Sequence, residues 1–230
     1  MLAAHLDINQ LEVLIGGSLG GQQALEWAAS NTIPINQLIV VGTNAVHSPW
    51  GIAFNESQRL AITADRTFYA NHPDGGKKGL KVARSIALLS YRNYITYDHT
   101  QRDEDDNKVN GYKAASYQNY QGEKLVKRYN AYSYFYLTKA MDSHNLARGR
   151  ASLEAALNGI SCPTLVLAVN TDVLFPPAEQ RFIAQHIPNA TYQEVESSYG
   201  HDGFLIETKK LTAIIHNFLK NKKAYINELV

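Results

Sequence analysis

Six consecutive residues, Gly16-Gly17-Ser18-Leu19-Gly20-Gly21, separate the apolar run Leu11, Val13, Leu14 and Ile15 from the helical pattern Gln22-Gln23-Ala24-Leu25-Glu26-Trp27-Ala28. The segment reads as a strand, a glycine-lined turn and a helix. Serine at the centre of such a turn is held in a strained backbone conformation that lifts its hydroxyl clear of the sheet. The glycines two positions to either side, Gly16 and Gly20, are expected to remove Cβ atoms that would collide. Ser18 is therefore the candidate nucleophile. A turn of this kind ordinarily follows several strands, whereas a single strand precedes Ser18, so the first strands of the sheet are expected to be absent from this chain.

The run Gln37-Leu38-Ile39-Val40-Val41-Gly42 is short, continuous and apolar, the pattern of a parallel strand buried on both faces. With the preceding strand and helix it makes one right-handed crossover unit. The alternation returns late in the chain, with a strand over 164–169, a helix over 176–186, a strand over 191–196 and a closing helix over 206–220. The two ends thus share one doubly wound, mostly parallel α/β sheet.

The middle differs. Over 51–159 the strand pattern gives way to helical stretches at 56–69, 80–94, 114–139 and 151–157, which predicts an inserted helical lid. The domain division that follows is 1–50 for the first part of the core, 51–159 for the lid and 160–230 for the second part of the core. The polar run within 98–110 is expected to be a mobile loop without a chemical role. The lid is rich in tyrosine, including Tyr117, Tyr120, Tyr129, Tyr132, Tyr134 and Tyr136, side chains suited to a subunit interface, a tunnel wall or ordinary helix packing.

A serine hydroxyl needs a base within hydrogen-bond reach and a third group to orient that base. In this architecture the acid lies on a loop after one strand and the histidine on a loop after the next. Asp172 follows the strand at 164–169 and His201 follows the strand at 191–196, which gives the order Ser18, Asp172, His201. Singly, each has a duller explanation as a turn serine, a helix cap or a structural histidine; together they stand at the expected strand ends in the expected order. The backbone N–H of Leu19 supplies one oxyanion donor, a group worth roughly 3 to 4 kcal/mol of barrier. The second donor belongs on a loop after an early strand and is not found in this chain. The remaining histidines read as surface or packing residues.

Composition narrows the alternatives. The chain has 22 basic against 21 acidic residues and a formal charge of +1, which leaves no electrostatic footprint for nucleic acid or an anionic membrane. It has no metal-type cluster of Cys and His, no signal peptide and no long apolar span, and its single cysteine, Cys162, reads as a small buried hydrophobe. The expected setting is a reducing cytoplasm, with no metal, no nucleic acid and no membrane as partner.

The segment Gly-Gly-Ser-Leu-Gly-Gly-Gln-Gln-Ala-Leu-Glu-Trp-Ala at 16–28 closely resembles the nucleophile signature of the homoserine O-acetyltransferases, most of which carry Met where Leu19 stands. The likeness continues through His47-Ser48-Pro49-Trp50, Phe54-Asn55-Glu56-Ser57-Gln58-Arg59, the stretches 79–84, 89–92, 117–122 and 132–142, and ends with Asp172-Val173-Leu174-Phe175-Pro176-Pro177 and Gly200-His201-Asp202-Gly203-Phe204-Leu205. One segment departs from the family pattern, Arg128-Tyr129-Asn130-Ala131-Tyr132-Ser133-Tyr134, and is expected to alter lid packing without touching a catalytic group.

The resemblance implies an α/β-hydrolase fold and a ping-pong acyl transfer in which Ser18 takes an acetyl group from acetyl-CoA, a co-substrate, and passes it to the hydroxyl of L-homoserine for methionine synthesis. No resident cofactor is implied. By motif, Arg84 and Tyr91, seven positions apart on one helical face, correspond to the family's lid residues in the substrate tunnel, with Arg84 suited to the homoserine carboxylate. Asp202 corresponds to the acidic residue after the catalytic histidine and is suited to the substrate ammonium. The resemblance also implies a homodimer joined by lid helices. Succinyl-CoA as donor, serine as acceptor, simple ester hydrolysis and an inactive truncated fragment stay open at this point.

Overall fold

The computed structural model describes residues 2–70 and 72–227. In chain order the elements are α1 (Leu2–His5), β1 (Leu14–Gly17), α2 (Leu19–Ser30), β2 (Leu38–Val41), α3 (Pro49–Ala64), α4 (Lys77–Tyr91), α5 (Tyr94–Gln101), α6 (Lys113–Val126), α7 (Ala131–Asp142), α8 (Leu153–Asn158), β3 (Thr164–Val169), α9 (Pro177–His186), β4 (Ala190–Val195), α10 (Gly203–Ile206) and α11 (Thr208–Asn227). Single 3₁₀ turns span Arg66–Ala70 and Gly200–Asp202. The chain divides into two compact units. One comprises the residues up to 46, 145–197 and those from 202 on; the other comprises 47–144 and 198–201.

The first unit is built on a parallel sheet in the order β1-β2-β3-β4. Strand β3 has the expected span and the other three begin or end within a few residues of theirs. Side chains alternate across the sheet, as the two-residue period requires. Leu38, Val40 and Val166 face a core completed by Leu25, Leu157, Ile160 and Ile183 from α2, α8, α9 and the turn after α8. Ile39, Val41, Leu165 and Leu167 face the opposite core with Leu211, Ile214 and Phe218 of α11. Every residue of β2 and β3 is buried, which is why both read as unbroken apolar runs.

The second unit is helical. Its core joins Ile62 of α3, Leu80 and Ala83 of α4, Leu125 of α6 and Ala131 of α7. Two glycines set how closely these helices pack. A Cβ at Gly79 would lie 2.5 Å from Ala61 O, and one at Gly122 would lie 2.7 Å from Lys81 O, so backbone meets backbone there. The neck of the unit is closed by a bond from His47 N–H to His144 C=O, 3.0 Å.

Two expectations are corrected here. The stretch 114–139 is two helices, because Asn130 caps a new one: its side chain accepts from Ser133 N–H at 2.8 Å. The run 98–110 is not wholly loop, since α5 extends to Gln101, with Asn93 capping its start and Asp98 paired with Arg102. Beyond the helix, Asp103 accepts from Lys108 Nζ and from Lys113 N–H, which gives the polar segment fixed partners.

Candidate active site

Ser18 stands between β1 and α2 with φ 54° and ψ −125°, a positive φ that a non-glycine residue adopts only at a cost of order 1 to 3 kcal/mol. The elbow is held from three sides. Ser18 N–H donates to Val41 C=O at 2.9 Å, Thr43 Oγ1 donates to Ser18 C=O at 2.8 Å, and Gly21 N–H donates to the same carbonyl at 2.9 Å.

The glycines act differently from the symmetrical expectation. A Cβ at Gly16 would sit 2.1 Å from Gly20 O, so the turn cannot close with any other residue there. At Gly20 a Cβ would meet nothing within 4 Å, whereas at Gly21 it would lie 2.6 Å from Thr43 Cβ. Crowding therefore falls on 16 and 21, because Gly21, in the first turn of the helix, packs against Thr43 in the loop after β2. Leu19 is the first residue of α2, and its N–H is one of the four that a helix start leaves without an intrahelical acceptor.

Asp172 lies in the loop after β3, buried, with Oδ1 accepting from Leu174 N–H and Phe175 N–H, both at 2.9 Å. Two backbone donors on one oxygen fix the carboxylate as an Asx turn does. This loop is tied to the one after β4: Thr171 Oγ1 donates to Ser197 C=O at 2.7 Å and Ser197 N–H donates to Asn170 Oδ1 at 2.9 Å. Because all four strands are parallel, Ser18 and Asp172 both stand at the C-terminal rim of the sheet, the edge where sheets of this kind place their ligands. Asp202 belongs to the same unit and opens α10.

His201 is buried in the 3₁₀ turn after β4 and belongs with the helical unit. Gly200 makes this possible: its φ is +63°, and a Cβ there would lie 2.9 Å from the backbone carbon of Arg92. Thr96 Oγ1 donates to Ser198 C=O on the same turn. The ring of Tyr91 lies 5.7 Å from that of His201, tilted by 51°, and the Arg84 guanidinium carbon lies 5.4 Å from the Tyr91 ring centre. The two lid residues suggested by motif are thus brought together, and Tyr91 is brought to the histidine.

Two further residues have no site role of their own in the sequence reading: Tyr134, one of the lid tyrosines suited to an interface, a tunnel wall or helix packing, and Gln58. Tyr134, in the segment expected to touch no catalytic group, lies close enough to Tyr91 and Arg84 to feel both electrostatically, and its hydroxyl donates to Gln58 Oε1. Burial, with the Tyr91 phenol adding to it, holds the Tyr134 phenol far above its ordinary value, against the opposing pull of Arg84. Neither Tyr134 nor Gln58 is near Tyr91 in sequence, and no spacing rule links them. Among the described residues no group of three or more His, Cys, Asp or Glu is placed to hold a metal ion, and no helix is long and apolar enough to cross a membrane.

A family model for the alpha/beta hydrolase fold matches residues 2–208. The chain belongs to the α/β-hydrolase fold family. Among curated α/β-hydrolase relatives, the homoserine O-acetyltransferase of Cyclobacterium marinum is 48% identical over 217 residues, covering 94% of this chain and 62% of that protein. The enzyme of the same name from Trichormus variabilis is 39% identical over 220 residues, covering 94% of this chain and 61% of its own length. The chain therefore spans a little over three-fifths of the relatives it matches. Among solved structures, the homoserine O-acetyltransferase of Staphylococcus aureus superposes with a TM-score of 0.79 at 28% identity, over 94% of this chain and 61% of that one. Esterase E22 superposes with a TM-score of 0.85 at 20% identity, over 95% of this chain and 63% of that one, a likeness of fold.

Proposed function

We propose that this α/β-hydrolase is an O-acyltransferase that moves an acetyl group from acetyl-CoA to the hydroxyl of L-homoserine, a step of methionine synthesis, in the cytoplasm. The observation that carries the reading is the 48% identity to the Cyclobacterium marinum enzyme across 94% of this chain. The strained backbone at Ser18 and the doubly held Asp172 carboxylate support it.

In this reading Ser18 Oγ attacks the thioester carbonyl while His201 takes its proton, and Asp172 orients the imidazole. Leu19 N–H donates to the oxyanion. The thiolate of CoA leaves with the proton from His201, and the acetyl group stays on Ser18. The homoserine hydroxyl then gives its proton to His201, attacks the ester carbonyl, and Ser18 recovers a proton as the product leaves. Arg84 pairs with the homoserine carboxylate, Tyr91 lines the same site and Asp202 takes the ammonium. The helical unit serves as the lid that keeps water from the acyl-enzyme. Two copies associate through that unit, whose exposed Leu60, Val82, Leu89 and Tyr120 offer apolar contact area.

The test is thiol release from acetyl-CoA with and without L-homoserine, followed by product identification. Release that depends on homoserine and yields O-acetylhomoserine supports the reading. Release that is indifferent to homoserine and yields acetate replaces it with hydrolysis.

A further inference from the structure

Within the sheet unit, the loop after β2 is gripped by two helices. Gln180 of α9, fully buried, donates from Nε2 to Thr43 C=O. Asn44, also buried, accepts on Oδ1 from Gln22 Nε2 of α2 at 2.9 Å and donates from Nδ2 to Glu179 Oε2 of α9 at 3.0 Å. A backbone carbonyl can only accept, so the Gln180 amide must present its NH₂ to Thr43. What the loop holds in turn is the elbow. Thr43 Oγ1 donates to Ser18 C=O at 2.8 Å, and the missing side chain at Gly21 lets Thr43 come this close. The same carbonyl accepts from Gly21 N–H at 2.9 Å and from Gln22 N–H at 3.2 Å. A trans peptide is planar, with its C=O and N–H pointing opposite ways. Fixing the direction of Ser18 C=O therefore fixes that of Leu19 N–H, which belongs to the same peptide group. The helix α9 follows directly on the Asp172 loop, whose Phe175 N–H is bonded to that carboxylate.

Resting on the acyltransferase reading, in which Leu19 N–H is an oxyanion donor, we propose that Thr43 and Gln180 are positioning residues of the nucleophile elbow. Thr43 aims Leu19 N–H through the shared peptide group, and Gln180 holds Thr43 in place for that task. Asn44 bridges α2 and α9 beside them, so one loop sets the elbow that carries the nucleophile against the helix that follows the acid. The clamp also accounts for the backbone at Ser18. A positive φ at a non-glycine residue persists only where the surrounding structure over-determines it. The bonds on Ser18 C=O, with the one from Ser18 N–H to Val41 C=O at 2.9 Å, supply that surrounding. The effect of the Thr43 hydroxyl falls on the transition state, where charge develops on the carbonyl oxygen that Leu19 N–H meets.

Two measurements on the full chain test this. The first is urea unfolding without substrate, in wild type and in Thr43→Val, Gln180→Leu and Gln37→Leu, each with and without Ser18→Gly. Gln37 is equally a buried polar residue, but it stands just before β2, at the other end of the sheet. Glycine takes a positive φ without strain, so Ser18→Gly releases whatever strain the clamp maintains. The midpoint change it causes should be more favourable in wild type and Gln37→Leu than in Thr43→Val and Gln180→Leu. The cost of glycine's freedom in the unfolded chain is common to all four backgrounds and cancels. An equal change in all four overturns the proposal. The second measurement is steady-state acetyl transfer. Thr43→Val should lower kcat about ten- to thirtyfold with KM for acetyl-CoA within about twofold, and Thr43→Ser, which keeps the hydroxyl, should return kcat to within about threefold of wild type. Gln180→Leu should lower kcat about three- to fivefold alone but less than about twofold in the Thr43→Val background, because it acts through Thr43. A loss that falls on KM, or one that Thr43→Ser does not relieve, overturns the proposal as well. A wild-type chain without acetyl transfer would refute the function, while the urea series still decides the clamp.

Discussion

Tyr91 and His201 lie face to tilted face, their ring centres 5.7 Å apart, although 110 positions separate them in the chain. The contact makes the helical unit a structural partner of the candidate base. The histidine turn is held to that unit by its backbone as well, through the bond from Thr96 to Ser198 and the close approach of Gly200 to Arg92.

That approach makes Gly200 a sensitive position. Gly200→Ala would combine a positive φ with a Cβ 2.9 Å from the Arg92 backbone, so the turn must shift and carry His201 with it. The expected result is a loss of about 1 to 3 kcal/mol in urea unfolding and at least tenfold in acyl-enzyme formation.

The two glycines flanking Ser18 should behave oppositely. Gly16→Ala would place a Cβ 2.1 Å from Gly20 O and should cost roughly 3 kcal/mol. Gly20→Ala meets open space inside α2 and should be neutral or stabilising by about 0.5 to 1 kcal/mol. Urea denaturation of both variants checks the pair.

The contrast also marks where sequence reading stops. The buried strands β2 and β3 were legible because both of their faces meet apolar cores, so the local pattern and the tertiary fold agree. Asp172 and His201 were legible for a related reason: each falls on a loop directly after a strand that the pattern marks. Gly20 was misread because glycine records that a side chain is missing, not which neighbour requires it. The break at Asn130 was hidden inside a continuous helical pattern whose capping residue looks like any surface asparagine. The bond from Tyr134 to Gln58 joins two helices 76 positions apart in the chain, and no local pattern encodes packing between them.

His47 gives a pH dependence with a definite sign. It is buried at the neck of the helical unit, beside Asn55 at 3.3 Å and Asp142 at 3.8 Å. Burial lowers its proton affinity, while Asp142 and a Gly51 backbone contact oppose the shift and Arg59 adds to it. The unfolded chain therefore takes up a proton near the ordinary value of about 6.5 while the folded chain still resists it, so stability is full above that pH and falls as the solution is acidified through the lower folded value. Thermal unfolding between pH 8 and pH 5 (a window of about three units) should show a smaller loss in His47→Gln than in wild type.

Self-association through the helical unit predicts a solution phenotype. Val82 and Leu89, two helical turns apart on α4, are 50% and 58% exposed. Charged residues there, as in Val82→Asp with Leu89→Asp, should leave the fold intact and shift a dimer to monomer in light scattering. An unchanged mass would remove this surface from the dimer reading.

The central claim is that Ser18 carries the acyl group. Mixing the full chain with acetyl-CoA, quenching in acid and mapping the peptides by mass spectrometry tests it directly. The account predicts one acetyl group, on the peptide containing Ser18, lost on addition of L-homoserine and absent from Ser18→Ala. Acetyl transfer that proceeds in Ser18→Ala, or an acetyl group trapped on another residue, would contradict it.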